Sequence, residues 1–515
     1  MRAVIYCNEQ NKEAARRAAI VELGVDEAKW IGAAELERVL SARETVLIIE
    51  HELVPDMKAF LKDGRLASIP MYVYLEGRLF DVHAASVLID ERARLIDSQE
   101  WNKAKAVNDV LCDMDFLLKN TANHSYPGFF QLESTDFCNS KCIMCEHYFT
   151  ENAGACILSM EKLDHLKDAI QLSHVINLNG MGEPFISRNI KDQIDVYVGY
   201  GNRIVANTNM SYLDDALIER IGRDFDWLAI SIDGATRETY ESVRHGLSYD
   251  TLISNLYRLK EKAPDLLKII SMVIMRQNVC EMPELVELAH EVGANQVVFL
   301  NLNPNIIIGN FNDVMSNYPK VVEYYSVKAL EKGEALGIRV VVANAPNLNR
   351  NITLEEITEE LQKMNSIPKW KTADEEKAMM ETAQILNRYV EAHSQLQDTT
   401  VPTKVTCSGI CDWLLTNCYT DQHGNVSMCC RNFIYRAGTV EKEGEFIKVW
   451  NSPLMQKTRA IFYAGYLPES CLQCGMIEGG ELKYLSVDVS PDFYEDSAVK
   501  KKQKRIYEEI FGERL

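Results

Sequence analysis

The chain has 515 residues, 47% hydrophobic and 25% charged, the balance of a folded globular protein of about two to four domains rather than a disordered one. Its formal net charge of −20 argues against a nucleic-acid partner held by phosphate contacts. No run of about 18 apolar residues exists to cross a membrane, and MRAVIYCNEQ lacks the apolar region of a signal peptide. A cytoplasmic protein is expected, in which the fourteen cysteines are thiols or metal ligands rather than disulfides.

Residues 1–120 read as a small α/β domain whose role the sequence leaves open. Apolar runs VIYC at 4, TVLIIEH at 45 and IPMYVYL at 69 alternate with helical patterns at 13–24 and 54–62. NEQNKE follows the first run, with no glycines to let a backbone approach a phosphate, so a dinucleotide site is not expected there.

From about 129 the chain alternates short β-rich runs with amphipathic helices. Strands are predicted at FFQLEST, HVINLNG, RIVANTN, DWLAISID, LKIISMVIM and QVVFLNLNP, with helices near 160–171, 188–199, 213–222, 250–262, 281–292 and 317–336. Six strand-then-helix repeats predict an α/β fold with a parallel sheet, closed or partly closed into a barrel over 125–345, and GIRVVVAN at 337–344 fits one further strand. Chemistry in such folds gathers at the C-terminal ends of the strands. Residues 346–404, rich in Glu, Lys and Gln, read as an inserted helical pair covering the barrel or bridging domains. A cysteine-rich domain over 405–485 holds seven of the fourteen cysteines, and 486–515, with KKKQKR, reads as a solvated tail.

TDFCNSKCIMCEH places Cys138, Cys142 and Cys145 on one loop just after the first barrel strand. Three thiolates so spaced can converge on one metal centre. Zinc would want a fourth protein ligand, whereas three ligands leave one iron of a 4Fe-4S cube open to a small molecule. The spacing alone does not choose between them.

The flanking pieces are more specific. The second strand ends in NGMGEP, the third in NTN and the fourth in SIDG. Together with CxxxCxxC this stretch, roughly 129–304, resembles the radical S-adenosylmethionine (radical SAM) enzymes. The resemblance implies a partial (β/α)6 barrel in which Cys138, Cys142 and Cys145 ligate the cluster. Gly182, Glu183 and Pro184 then engage the methionyl amino group, Asn207 and Asn209 contact the cofactor, and Ser231 and Asp233 bind ribose and carboxylate. Met144 stands where the family often has an aromatic residue, and Met181 where it has the first glycine of GGEP; neither change removes a ligand.

CDWLLTNCYTDQHGNVSMCC at 411–430, followed by CLQC at 471–474, resembles the SPASM or twitch extension of radical SAM proteins. It implies an auxiliary 4Fe-4S cluster on Cys411, Cys429, Cys471 and Cys474, with Gly424 at a hairpin turn. A zinc ribbon on the same thiolates is the bland alternative. Cys407, Cys418 and Cys430 leave a second auxiliary cluster open, although spare cysteines beside a metal site are often merely buried. Cys7, Cys112 and Cys156 read as core or incidental thiols, and His147 as a satisfied surface histidine. Cys280, after the fifth strand, is a candidate hydrogen-atom donor at the barrel mouth, weighed against a passive cysteine at a helix start.

The resemblance implies reductive cleavage of S-adenosylmethionine to a 5′-deoxyadenosyl radical that abstracts a hydrogen atom from substrate, with a flavodoxin or ferredoxin-type electron donor. The N-terminal domain lacks the winged-helix pattern that grips leader peptides. Oxidation of a polar small molecule or carbohydrate-type intermediate is therefore the first expectation. Epimerisation or peptide maturation by crosslinking is the alternative, and a non-catalytic metal-organised scaffold the rival from another class.

Overall fold

The computed structural model describes residues 2–25, 27–31, 45–50, 70–75, 78–145, 156–302, 311–343, 348–372, 402–406, 411–427, 436–468 and short pieces at 53, 147, 374–375, 377–378, 381, 429–430, 471, 477–478 and 481–482. The helical pattern at 54–62, most of the insertion after 372, Cys407, Cys474 and the basic tail lie outside the described residues.

The first domain carries strands β1 (Arg2–Tyr6), β2 (Glu27–Trp30), β3 (Thr45–Glu50), β4 (Met71–Leu75) and β5 (Arg78–Asp81) in the order β2-β1-β3-β4-β5. All pairs are parallel except β4 with β5. The buried Glu50 carboxylate accepts the Asn8 amide and the Asn11 side chain, so the protein's own anion sits at the turn after β1 where a nucleotide binder would receive a phosphate. Helices Ala85–Asp97 and Trp101–Leu117, absent from the sequence expectation, pack on each other, and Val110, Leu111 and Met114 of the second join the main core.

The central sheet is built from β6 (Phe129–Leu132), β8 (Val175–Asn177), β9 (Arg203–Thr208), β10 (Phe225–Ser231), β12 (Leu267–Ile274), β13 (Gln296–Asn301) and β14 (Arg339–Val342), every neighbouring pair parallel. Helices cover it between strands at Met160–His165, Lys167–Leu172, Ile190–Gly199, Asp215–Asp224, Tyr249–Lys262, Met282–Glu291 and Pro319–Leu336. All six predicted strands are present, and GIRVVVAN supplies the seventh. Two small strands, β7 (Lys141–Cys142) and β11 (Arg244–His245), form a separate antiparallel ladder at the strand ends.

Strand β6 is not left as an open edge. After β15 (Pro402–Thr406), strand β16 (Asn417–Thr420) of the cysteine-rich region pairs with it in parallel, Asn417 with Phe129 through Thr420 with Leu132. Strands β17 (Asn425–Ser427) and β18 (Arg436–Thr439) continue antiparallel, giving ten strands in one sheet. The turn between β16 and β17 holds Gly424 at φ +79°, a left-handed conformation that favours glycine. The hairpin predicted from HGN is thus present, as an extension of the barrel sheet. β15 pairs instead with β19 (Tyr466–Pro468).

Arg459, on helix Pro453–Tyr463, locks this region to the segment entering β6. Fully buried, its guanidinium donates to Leu414 O at 2.7 Å, Thr121 O at 2.9 Å, Trp450 O at 3.0 Å and Asn451 Oδ1 at 3.0 Å. Burial pulls its pKa down to about 10, since only carbonyl and amide dipoles face it at hydrogen-bond distance. Removing the donor strands several buried carbonyls. Arg459→Ala is expected to cost about 3 kcal/mol and to lower the thermal unfolding midpoint by several degrees, whereas the exposed Lys448→Ala leaves it unchanged.

Candidate active site

The functional residues expected from the sequence collect at the C-terminal ends of β6, β8, β9 and β10. Glu133 follows β6 directly and is 2% exposed. Its Oε1 accepts the Met181 amide and the Gly182 amide, the latter at 3.3 Å, and its Oε2 accepts the Tyr419 hydroxyl at 3.0 Å. One carboxyl therefore ties the loop after β8 to the cysteine-rich domain. Burial pushes its pKa up to about 7 against those hydrogen bonds.

Gly180 and Gly182 are required by close approach rather than by φ. A Cβ on Gly180 would run into the Glu133 carboxyl, and one on Gly182 into the backbone carbonyls of Thr135 and Phe137. The Glu183 amide donates to Phe137 O at 2.9 Å, so the GMGEP loop and the start of the cysteine loop are laced together. Glu183 itself is buried. Its carboxyl accepts the Thr208 hydroxyl and the Asn209 amide, each at 2.7 Å, and caps the turn begun by Pro184. Burial raises its pKa to about 7.

Asn209 is buried and donates to Asn139 Oδ1 at 3.0 Å, reaching into the cysteine loop, while Asn207 is exposed and its amide is held by Asn179. Ser231 is half-buried at the end of β10. Asp233 is 1% exposed; its Oδ1 accepts the Val273 amide at 2.7 Å and its Oδ2 pairs with Arg244 Nη2 at 2.6 Å. Its oxygens are thus committed inside the protein.

On the cysteine loop, Cys142 is buried and Cys138 and Cys145 are half-buried, and no described cysteine is in a disulfide. Burial lifts the Cys138 thiol to about 12, with Glu183, Cys142 and Cys145 near enough to push in the same direction. Among the described residues no three His, Cys, Asp or Glu side chains stand at the spacing of a closed metal site. The donor set still fits an iron centre: three thiols on one loop, soft ligands of the kind that iron-sulfur clusters take. His147 is buried, not at the surface, and its pKa is lowered by that burial.

In the cysteine-rich domain Cys411, Cys429, Cys430 and Cys471 are half-buried, while Cys418 lies on β16 in the core, its thiol raised to about 12 by burial. Cys418 is therefore a packing residue. Cys280 sits on the turn Val279–Glu281, exposed, with the Tyr325 hydroxyl of the outer helix as its hydrogen-bond partner.

Residues 132–289 match the radical SAM superfamily and residues 411–475 match SPASM, an iron-sulfur cluster-binding domain. The chain carries a radical SAM domain and a SPASM domain. Cofactors follow from the two domains: S-adenosylmethionine with a 4Fe-4S cluster in the first and an iron-sulfur cluster in the second. Mycofactocin maturase MftC of Mycobacterium tuberculosis is 28% identical over 165 residues, 32% of this chain and 41% of the maturase. The protein from Mycolicibacterium smegmatis is 27% identical over 164 residues, with the same coverage. The match thus spans about two fifths of the length of these curated relatives. Among solved structures, Streptococcus suis SuiB bound to precursor peptide SuiA aligns with TM-score 0.46 and 14% identity over 68% of this chain and 71% of that one. The enzyme anSMEcpe with bound AdoMet aligns with TM-score 0.42 and 14% identity over 64% and 81%.

Glu133, Tyr419 and Arg244 escaped the sequence reading of this radical SAM protein. Glu133 had one usable signal, a carboxylate directly after a strand at the catalytic end. Tyr419 and Arg244 had none, because their partners lie 286 and 102 residues away.

Two outcomes are expected. Gly182→Ala forces its loop off Thr135 and Phe137, an overpacking cost of about 1–3 kcal/mol, and weakens S-adenosylmethionine binding by roughly tenfold or more with iron content unchanged. Glu133 titrates near 7 in the fold and near 4.5 in the unfolded chain, so between these values the folded protein holds more protons. Its stabilising effect is complete below pH 4.5 and lost as pH rises through about 7. Thermal midpoints measured between pH 5 and 7.5 should fall less steeply in Glu133→Gln than in the wild type.

Proposed function

We propose that this protein is a radical SAM enzyme acting on a peptide, abstracting a hydrogen atom from it during its maturation. The supporting observation is the match to a mycofactocin maturase over 165 residues, in a chain whose residues 132–289 match the radical SAM superfamily. That support outweighs the expectation of a carbohydrate-type substrate, which rested on the missing winged-helix pattern. The N-terminal domain is a five-stranded α/β sheet, so a peptide would be recognised by some other means than a winged helix.

Cys138, Cys142 and Cys145 would hold the 4Fe-4S cluster, three ligands leaving it open to the cofactor. When bound, the cluster and S-adenosylmethionine supply a hydrogen-abstracting carbon radical. Glu183, fixed by Thr208 and Asn209, offers its remaining lone pairs to an ammonium. Asn207, exposed at the end of β9, and Ser231, at the end of β10, are the polar groups left to meet the cofactor's ribose.

Cys411, Cys429, Cys471 and Cys474 would hold one auxiliary 4Fe-4S cluster, a reading supported by the burial of Cys418 in the core. Electrons come from a flavodoxin or ferredoxin-type protein of the cytoplasm. No described helix is long and apolar enough to cross a membrane.

Anaerobically reconstituted protein, reduced in the presence of S-adenosylmethionine, is expected to release 5′-deoxyadenosine, and Cys142→Ala to release none. Deuterium should then pass into 5′-deoxyadenosine from side-chain-deuterated precursor peptides. Transfer from deuterated sugars alone would refute the peptide substrate, and absence of 5′-deoxyadenosine would refute the enzyme.

A further inference from the structure

Arg244 is a buried cation against the cysteine loop, and its position is built from both sides. The ladder of β7 with β11 sets Arg244 opposite Cys142, and the Ile143 amide donates to Val243 O at 3.0 Å, so the two backbones cannot slide. From there the guanidinium donates through Nη1 to Cys142 Sγ at 3.7 Å, while Nη2 pairs with Asp233 Oδ2 at 2.6 Å. Asp233 is fixed in turn by the Val273 amide. The Ser140 hydroxyl lies 3.1 Å from the same sulfur. Arg244 Nε is buried without a hydrogen-bond partner, which is a cost accepted for a fork aimed at Cys142 and Asp233.

We propose that Arg244 is a positioning residue that raises the reduction potential of the three-cysteine cluster through Cys142, with Asp233 setting how much of its charge the sulfur feels. The proposal rests on the reading that Cys138, Cys142 and Cys145 hold that cluster. Hydrogen bonds to ligand sulfurs and nearby charge are the protein's levers on cluster potential. Adding one electron makes the cluster and its thiolates more negative, and a guanidinium held in a dry site stabilises that state more than the oxidised one. Asp233 opposes it as a buried anion, yet without Asp233 the arginine would be a lone buried charge, which is far more costly.

The test is an EPR-monitored titration of reconstituted full-length protein, in which one electron from dithionite takes the cluster from its 2+ to its 1+ state. S-adenosylmethionine perturbs the spectrum of a cluster with an open iron and leaves a four-thiolate cluster unchanged, so the two signals separate. Arg244→Gln is expected to make reduction at least tenfold less favourable, a negative shift of about 59 mV or more. Arg244→Lys keeps the charge and should lie between Arg244→Gln and the wild type. Asp233→Asn removes the opposing anion and should shift the potential upward. An unchanged potential in Arg244→Gln overturns the proposal. If that variant fails to hold its cluster, an unchanged or lowered potential in Asp233→Asn overturns it instead. A wild type without a cofactor-responsive signal defeats the underlying cluster reading, an outcome distinct from either.

Discussion

The parallel pairing of β6 with β16 is the contact on which the rest of the site depends. A parallel sheet buries both faces under helices, but its first strand would present a row of unpaired amides and carbonyls at the edge. Here the edge is covered by a distant strand, which lets Glu133 at the end of β6 and Tyr419 on β16, 286 residues apart, meet as hydrogen-bond partners. Because Glu133 also holds the Met181 and Gly182 amides, the cofactor loop takes its position from the SPASM domain as well as from its own strand. A second tether repeats the logic, since Gln422 of the hairpin turn donates to Asp136 on the cysteine loop at 2.8 Å.

The site gathers three buried carboxyl groups, and they are handled in two ways. Glu133 and Glu183 face no ion pair at hydrogen-bond distance; amide and hydroxyl donors leave desolvation dominant, and both are pushed toward the neutral form near pH 7. Asp233 instead has Arg244 at 2.6 Å, and the other guanidinium nitrogen faces Cys142. That difference separates residues that shape loops from a pair able to impose a field on a metal centre.

Much of this was legible in the sequence where the signal was local. The seven parallel strands follow from apolar runs spaced by amphipathic helices, and the cysteine loop and GMGEP follow from spacing after a predicted strand. Gly424 was readable as a hairpin glycine because a two-strand turn needs a left-handed residue there. What escaped were contacts between distant segments: Tyr419 with Glu133, Arg244 with Cys142, and Arg459 with the segment entering β6. A tyrosine in a strand and an arginine at a helix end each look ordinary until topology supplies the partner. The helices Ala85–Asp97 and Trp101–Leu117 were missed for a related reason. Helix Trp101–Leu117 is buried on more than one face, so its apolar residues do not repeat with a clean amphipathic period.

The rule that chemistry lies at the C-terminal ends of strands fixes a level along the barrel axis but not a radial direction, and Cys280, on the turn Val279–Glu281 after β12, has Tyr325 of the outer helix beside it. The side of the barrel mouth near β12 is instead shaped by the insertion. Arg276, just past β12, donates to Ile367 O at 3.0 Å and Pro368 O at 2.8 Å and pairs with Asp313, which Gln277 also binds. This fixes the chain leaving helix Leu354–Asn365 so that Trp370 packs on the buried cluster of Val243, Met275 and Leu302, which Ile143 and Met144 also cover. A carbon radical is quenched by whatever small molecule can reach it, so apolar cover over the cysteine loop is a functional need. Met144 and Trp370, more than two hundred residues apart in the chain, pack against the same buried cluster of Val243, Met275 and Leu302. The contact is between segments far apart in sequence, so the period of neither segment announces it.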